Sequence, residues 1–173
     1  MPSLPFLDSA RKEFTYYRAL GEKTFIQLPD ADLFRAPAPG SNSIAVIVQH
    51  LHGNMLSRWT DFLTTDGEKP WRDRDGEFEP GITTREELLH LWSEGWDRLF
   101  AAIDPLTDSD LDRIVHIRTE PHTVAQAITR QLAHVPYHTG QIVLLGKLFL
   151  GEDFQSLSIP KGGTAAFNSA KGL

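Results

Sequence analysis

The chain contains no cysteine, which excludes disulfides, thiolate metal ligands and a cysteine nucleophile and is consistent with a reducing compartment such as the cytoplasm. Long hydrophobic runs are missing too. The fully apolar stretches are only a few residues long, against the roughly 20 residues that a membrane-crossing helix needs. The start, Met1-Pro2-Ser3-Leu4-Pro5-Phe6, has no basic region followed by an apolar one, so no signal peptide is expected. Net positive charge is likewise absent: the formal balance is −6, with lysine and arginine scattered along the sequence, which argues against nucleic acid as a main partner. Nor does the chain carry a catalytic triad, a phosphate loop, a nucleotide fingerprint, an internal repeat or a low-complexity tract. What is present is 173 residues, enough to bury a core without staples, read as a single domain over 1–173.

Four long segments carry the helical period. The first, from about Leu7 to Leu28, puts Ala10, Phe14, Tyr17, Leu20 and Phe25 near one stripe, with Asp8 or Ser9 as a cap and Gly21 as a local weakness. After the break Ala36-Pro37-Ala38-Pro39-Gly40, the second opens at Ser43 and repeats Ile44, Ile47, Val48, Leu51, Met55, Trp59 and Phe62. A third is announced by Thr84-Arg85-Glu86-Glu87, a capping box in which hydroxyl and carboxylate satisfy two orphan backbone donors. It continues through Leu88, Leu91, Trp92, Trp96, Leu99 and Ile103, with Trp92, Trp96 and Phe100 read as core rather than interface, and stops at Pro105. The fourth enters at Thr123-Val124-Ala125-Gln126 and runs to Gly151. Pro136 interrupts it, costing ~3 kcal/mol in a helix interior; the apolar register carries across, which predicts a kink rather than a break. Between these lie a loop from Thr64 to Gly81, a turn near Asp108 to Leu111, and an extended piece, Ile114 to Arg118. Residues 155–173, rich in Gly, Ser, Ala and Lys, read as an irregular tail. The economical architecture is all-α, four helices around one core with a long second connection.

Chemistry gathers on histidine. His134 and His138 stand four apart in the fourth segment, so both imidazoles lie on one helix face and can reach one ion. A third ligand is offered by His50 or His52 in the second segment. With about 100° per residue, His52 lies nearer the centre of the apolar stripe and His50 on its flank, beside Asn54, so face geometry alone favours His52. Gln131 and Gln141 extend a polar strip along His134 and His138, and Gln141 suits a hydrogen bond to a ligand or a bound water. Gly140 invites the close approach of another helix. The competing reading of the strip is a solvated face, and a third is a bundle whose histidines merely satisfy one another. His90, His116 and His122 read as surface or locally hydrogen-bonded residues. Asp73-Arg74-Asp75 and Glu77 to Glu79 read as a solvated charge cluster. The loop bearing Trp71, Arg72 and Arg74 reads as a salt-bridged surface segment anchored by the tryptophan; its alternative is a segment over the open face of the site, where arginine suits a carboxylate-bearing thiol.

The string Ser43-Ile44 followed by His50-Leu51, then His134-x3-His138 with Gly140-Gln141, resembles the DinB-like superfamily of metal-binding four-helix proteins, the DinB/YfiT-like metalloenzymes. The loop Thr64 to Asp75 and the string Leu157-Ser158-Ile159-Pro160-Lys161-Gly162 look more narrowly like its DUF1572 group. The resemblance implies a bundle in which His50, His134 and His138 bind a divalent nickel, zinc or iron ion, with Asn54 and Gln141 as supporting or substrate contacts. It also implies a metal-dependent enzyme, in first place an S-transferase joining a low-molecular-weight thiol such as bacillithiol, mycothiol or glutathione to a small electrophile. Metal-assisted hydrolysis is the nearest enzymatic variant. A non-catalytic dimeric metal-binding or stress-response protein is the alternative of another class, and a homodimer is expected in either case.

Overall fold

The structure is a computed structural model and describes residues 5–172. The leader expectation rests on Met1 to Leu4, which fall outside them. Four long helices dominate: α1 (Phe6–Gln27), α3 (Ile44–Trp59), α4 (Arg85–Ile103) and α5 (Val124–Leu150). Two short ones, α2 (Asp30–Phe34) and α6 (Thr164–Ala170), a hairpin of β1 (Ile114–Ile117) and β2 (Glu120–Thr123), and single 3-10 turns at Gly76–Phe78, Asp108–Asp110 and Gly151–Asp153 lie between or after the long helices.

Local chemistry sets the boundaries. Ser43 accepts a hydrogen bond from the Val46 N–H to start α3, and Thr84 with Glu87, and Thr123 with Gln126, form reciprocal capping boxes on α4 and α5. For α1 the expected cap at Asp8 or Ser9 is wrong: the helix begins earlier, after Pro5, with no side-chain cap. Pro5 has the backbone of a helix entrance, and starting at Phe6 brings Leu7 as well as Ala10 into the core. α3 ends at Trp59, so Phe62 is buried from a turn rather than from the helix. α5 runs unbroken through Pro136, which keeps His134 and His138 on one helix. The tail is not wholly irregular, since α6 starts at Thr164 after Gly163 and runs into Ala165 and Ala166, the best helix formers; none of its residues is buried.

α3 packs against α4 and α5, and α1 packs against the same two helices. Their shared interior holds Phe14, Phe25, Leu51, Met55, Leu88, Trp92, Trp96 and Ile142, all buried; each such side chain contributes roughly 1.5–3 kcal/mol relative to exposure. Gly21, a weak point for the isolated helix, has a positive use here, because a Cβ there would overlap the Trp92 ring. In the hairpin, Ile114 pairs with Thr123 and Ile117 with Glu120. Arg118 and Thr119 turn it with φ of 54° and 66°, and their N–H groups both donate to the Asp66 carboxylate, at 2.8 and 2.7 Å. That clamp ties the hairpin to the loop after α3.

Candidate metal centre

His50 on α3 faces His134 and His138 on α5. One ligating nitrogen from each ring can be chosen so that all three lie within 4.8 Å of one another. The Nε2 atoms of His50 and His134 are 3.2 Å apart, a separation at which two imidazole nitrogens share one proton or one cation. His50 Nδ1 donates to Glu77 Oε2 at 2.9 Å, and His138 Nδ1 donates to Gln141 Oε1 at 2.9 Å. These bonds place a proton on each Nδ1, so that in the neutral form both rings present a bare Nε2 lone pair. His134 Nδ1 is buried and unpartnered. Burial, reinforced by the neighbouring His138 and His50 and by Arg58 and Arg72, pushes the His134 pKa down to about 3. His138 is also lowered, chiefly by burial, with the Gln141 bond opposing. Neutral rings with lone pairs turned toward one point fit a divalent ion, and this donor set can hold one.

Behind the rings lies a shell that comes from the loop. The turn Gly76–Phe78 is tied to α3 by Gln49, whose amide donates to the carbonyls of Gly76, Glu77 and Glu79. Phe78 stacks on His50 with ring centroids 4.7 Å apart. Arg72 grips Glu77 with two bonds, Nε to Oε1 at 2.7 Å and Nη2 to Oε2 at 2.9 Å. Burial opposes the Glu77 charge, but the bonds from His50 and Arg72 and the arginine's charge outweigh it and hold the carboxyl below its usual range. A carboxylate on the far nitrogen of a ligand imidazole fixes the ring and raises its basicity. Room for that carboxylate exists because residue 53 is glycine; a Cβ there would overlap it.

Several expectations are thereby corrected. Glu77 does not belong to a solvated cluster: its side chain is 8% exposed, and the pull of His50 and Arg72 explains why. Trp71 does not anchor its loop, being 57% exposed, whereas the Arg72 side chain is 3% exposed. The stripe argument for His52 fails because α3 is covered on more than one side, by α4 and by α5 with the Gly76–Phe78 turn. His52 turns toward α4 and meets Glu94 at 2.8 Å. Nothing approaches Gly140, and the close helix contact falls instead at Gly146, against Thr24 and Phe154. His90 and His116 are exposed, as expected. Asn54 is buried with its Oδ1 unpartnered. The missed residues, Glu77 and Phe78, had one signal in the sequence: Gly53 inside an apolar helix costs about 1 kcal/mol unless a neighbour needs the gap.

A mainly helical protein with a buried histidine cluster opening on a cleft is thus defined. The family described as "Protein of unknown function (DUF1572)" matches residues 2–163, and the chain belongs to it. No curated protein matches. Among solved structures, the crystal structure of a conserved protein from Enterococcus faecalis is similar in fold, with a TM-score of 0.65 at 13% identity over 87% of this chain and 100% of that one.

Proposed function

We propose that the protein is a metal-dependent enzyme holding a divalent nickel, zinc or iron ion on His50, His134 and His138. We propose further that it joins a low-molecular-weight thiol, through a new bond from its sulfur, to a small electrophile, which releases its leaving group or takes up the thiol's proton. The observation that carries this reading is the convergence of three imidazoles within 4.8 Å on the wall of a cleft of about 540 Å³, a size suited to a small molecule. When bound, the ion supplies Lewis acidity that keeps a thiol ionised near neutral pH. The chain's own residues do the rest. Glu77 and Gln141 set the orientation and tautomer of His50 and His138. Asn54 lines the cleft with an unpartnered carbonyl and serves as a substrate contact. The arrangement of four long helices is read as a DinB-type bundle. The exposed Tyr137, Leu144 and Leu148 on α5 support a homodimer.

Elemental analysis of tag-free protein tests the metal, and turnover of chlorodinitrobenzene or monochlorobimane with several thiols tests the reaction. Wild type and His52→Ala are expected to carry about one ion per chain and turn over. His50→Ala and His138→Ala are expected to lose both. Ion without turnover would favour a non-catalytic metal-binding protein, and turnover of an ester without thiol a hydrolase. An ion-free wild type, after incubation with each metal, sinks the reading.

A further inference from the structure

Although the chain is acidic overall, at −6, the cleft over the histidines is lined by five arginines and by no aspartate or glutamate. Two of the five are neutralised, Arg72 by Glu77 and Arg118 by Glu68 at 3.1 Å. Arg58, Arg74 and Arg130 form no ion pair among the described residues.

Arg58 is the informative one. It is 8% exposed and its Nε is buried with no hydrogen-bond partner. Gly67 packs against its stem, where a Cβ would stand 3.0 Å from Cδ, so the loop fixes the side chain in place. Burial, together with the charges of Arg130, Arg72 and Arg118, lowers its pKa to about 10, with Glu68 opposing; it is still a cation at neutral pH. A buried cation without a counter-ion is destabilising, and an arriving anion removes that cost. A second buried donor without a partner, Nε2 of Gln131, lines the same cleft.

We propose that this end of the cleft is an oxyanion subsite, in which Arg58, Arg130 and Gln131 bind a carboxylate or phosphate group of a small molecule. Its distance from the histidines follows from helix geometry. Arg58 lies eight residues beyond His50 on α3, while Arg130 lies four before His134 on α5, and the two arginines are close enough to perturb each other. At 1.5 Å per residue, the subsite sits about 6–12 Å along the groove from the histidine centre. The ligand is therefore elongated, with its anionic end roughly that far from the atom that reacts. That the anion belongs to the reacting molecule rests on the reading above; that the subsite binds anions does not. Arginine suits this task because its planar fork matches both oxyanions.

Calorimetry on metal-free full-length protein tests it, with inorganic phosphate and glutarate as probes at fixed ionic strength, against chloride. Saturable binding of one of them is expected, weakened at least tenfold in Arg58→Gln and Arg130→Gln. Tighter phosphate assigns a phosphate ligand, and tighter glutarate a carboxylate. Thermal unfolding without anion checks that both variants are folded; should Arg58→Gln fail to fold, Arg130→Gln alone decides. Absence of binding, binding only after metal loading, or unchanged affinity in the folded variants overturns the subsite. His138→Ala separates the two readings: anion binding kept in it supports the subsite whatever the fate of the metal, while a wild type that takes metal but neither anion overturns the subsite alone.

Discussion

His50 and His52 stand two residues apart on α3, and each meets a glutamate at nearly the same distance, 2.9 Å to Glu77 and 2.8 Å to Glu94. Their surroundings differ. The first pair is sealed, with side chains 6% and 8% exposed; the second is open, at 16% and 44%. His50 also has a second nitrogen turned to His134, whereas His52 joins no cluster of potential metal ligands among the described residues. A short contact therefore says little about role. Burial, and what faces the other ring nitrogen, separate a candidate ligand held by a carboxylate from a solvent-screened surface pair.

Removing each glutamate's charge should widen the contrast most. Glu77→Gln leaves the buried Arg72 cation with only the more distant Glu68 carboxylate, at 3.8 Å, and is expected to destabilise the fold by about 3 kcal/mol, with metal affinity lowered roughly 10–100-fold. Glu94→Gln should stay within about 0.5 kcal/mol. Urea unfolding and metal titration of both variants check this, and equal effects would show that the two pairs are equivalent after all.

Acidification acts on the sealed side next. His134 takes up a proton near pH 6.5 when unfolded but only near 3 when folded, so between those values the unfolded chain binds more protons and stability falls as pH falls. Glu77, with a folded pKa below its usual 4.5, adds a loss in the same direction at the acid end of that window. Urea midpoints of metal-free protein are expected to drop steadily from pH 7 to pH 4, with a shallower slope in His134→Gln; parallel slopes would contradict the assignment.

Glycine substitutions give the finest test. Gly53→Ala puts a methyl group into the Glu77 carboxylate and is expected to cost about 1–2 kcal/mol in spite of the better helix former. At Gly140 nothing beyond its own helix backbone and chain neighbours lies within 4 Å of an added Cβ, so Gly140→Ala should stabilise by roughly 0.5–1 kcal/mol. Thermal unfolding of the two variants should move in opposite directions.

Much of the helical frame was legible locally. Apolar spacing, the Ser43 cap and the boxes at Thr84 and Thr123 are interactions within four residues of one another, and α3, α4 and α5 start where those signals stand. Pairing of His134 with His138 was legible for the same reason. The strand Ile114–Ile117 was visible too, though read one residue too long, but its partner was not, because pairing with Glu120–Thr123 depends on a turn with two residues at positive φ, which neither Arg118 nor Thr119 advertises. Glu77 was misread because a carboxylate among charged neighbours looks solvated until the arginine and histidine that bury it are known.

By itself the sequence determined what nearest-neighbour chemistry can enforce: the starts of α3, α4 and α5 and the stops of α4 and α5, the two imidazoles on one turn of α5, and the absence of any thiol. Only the tertiary structure decided which face of α3 meets α5, and so that His50 rather than His52 joins the pair. It also gathered Arg58, Arg72, Arg74, Arg118 and Arg130, scattered over more than seventy positions of the chain, around one cleft. Periodicity fixes a helix's own faces, but its rotation and its neighbours are set by the simultaneous packing of every other element.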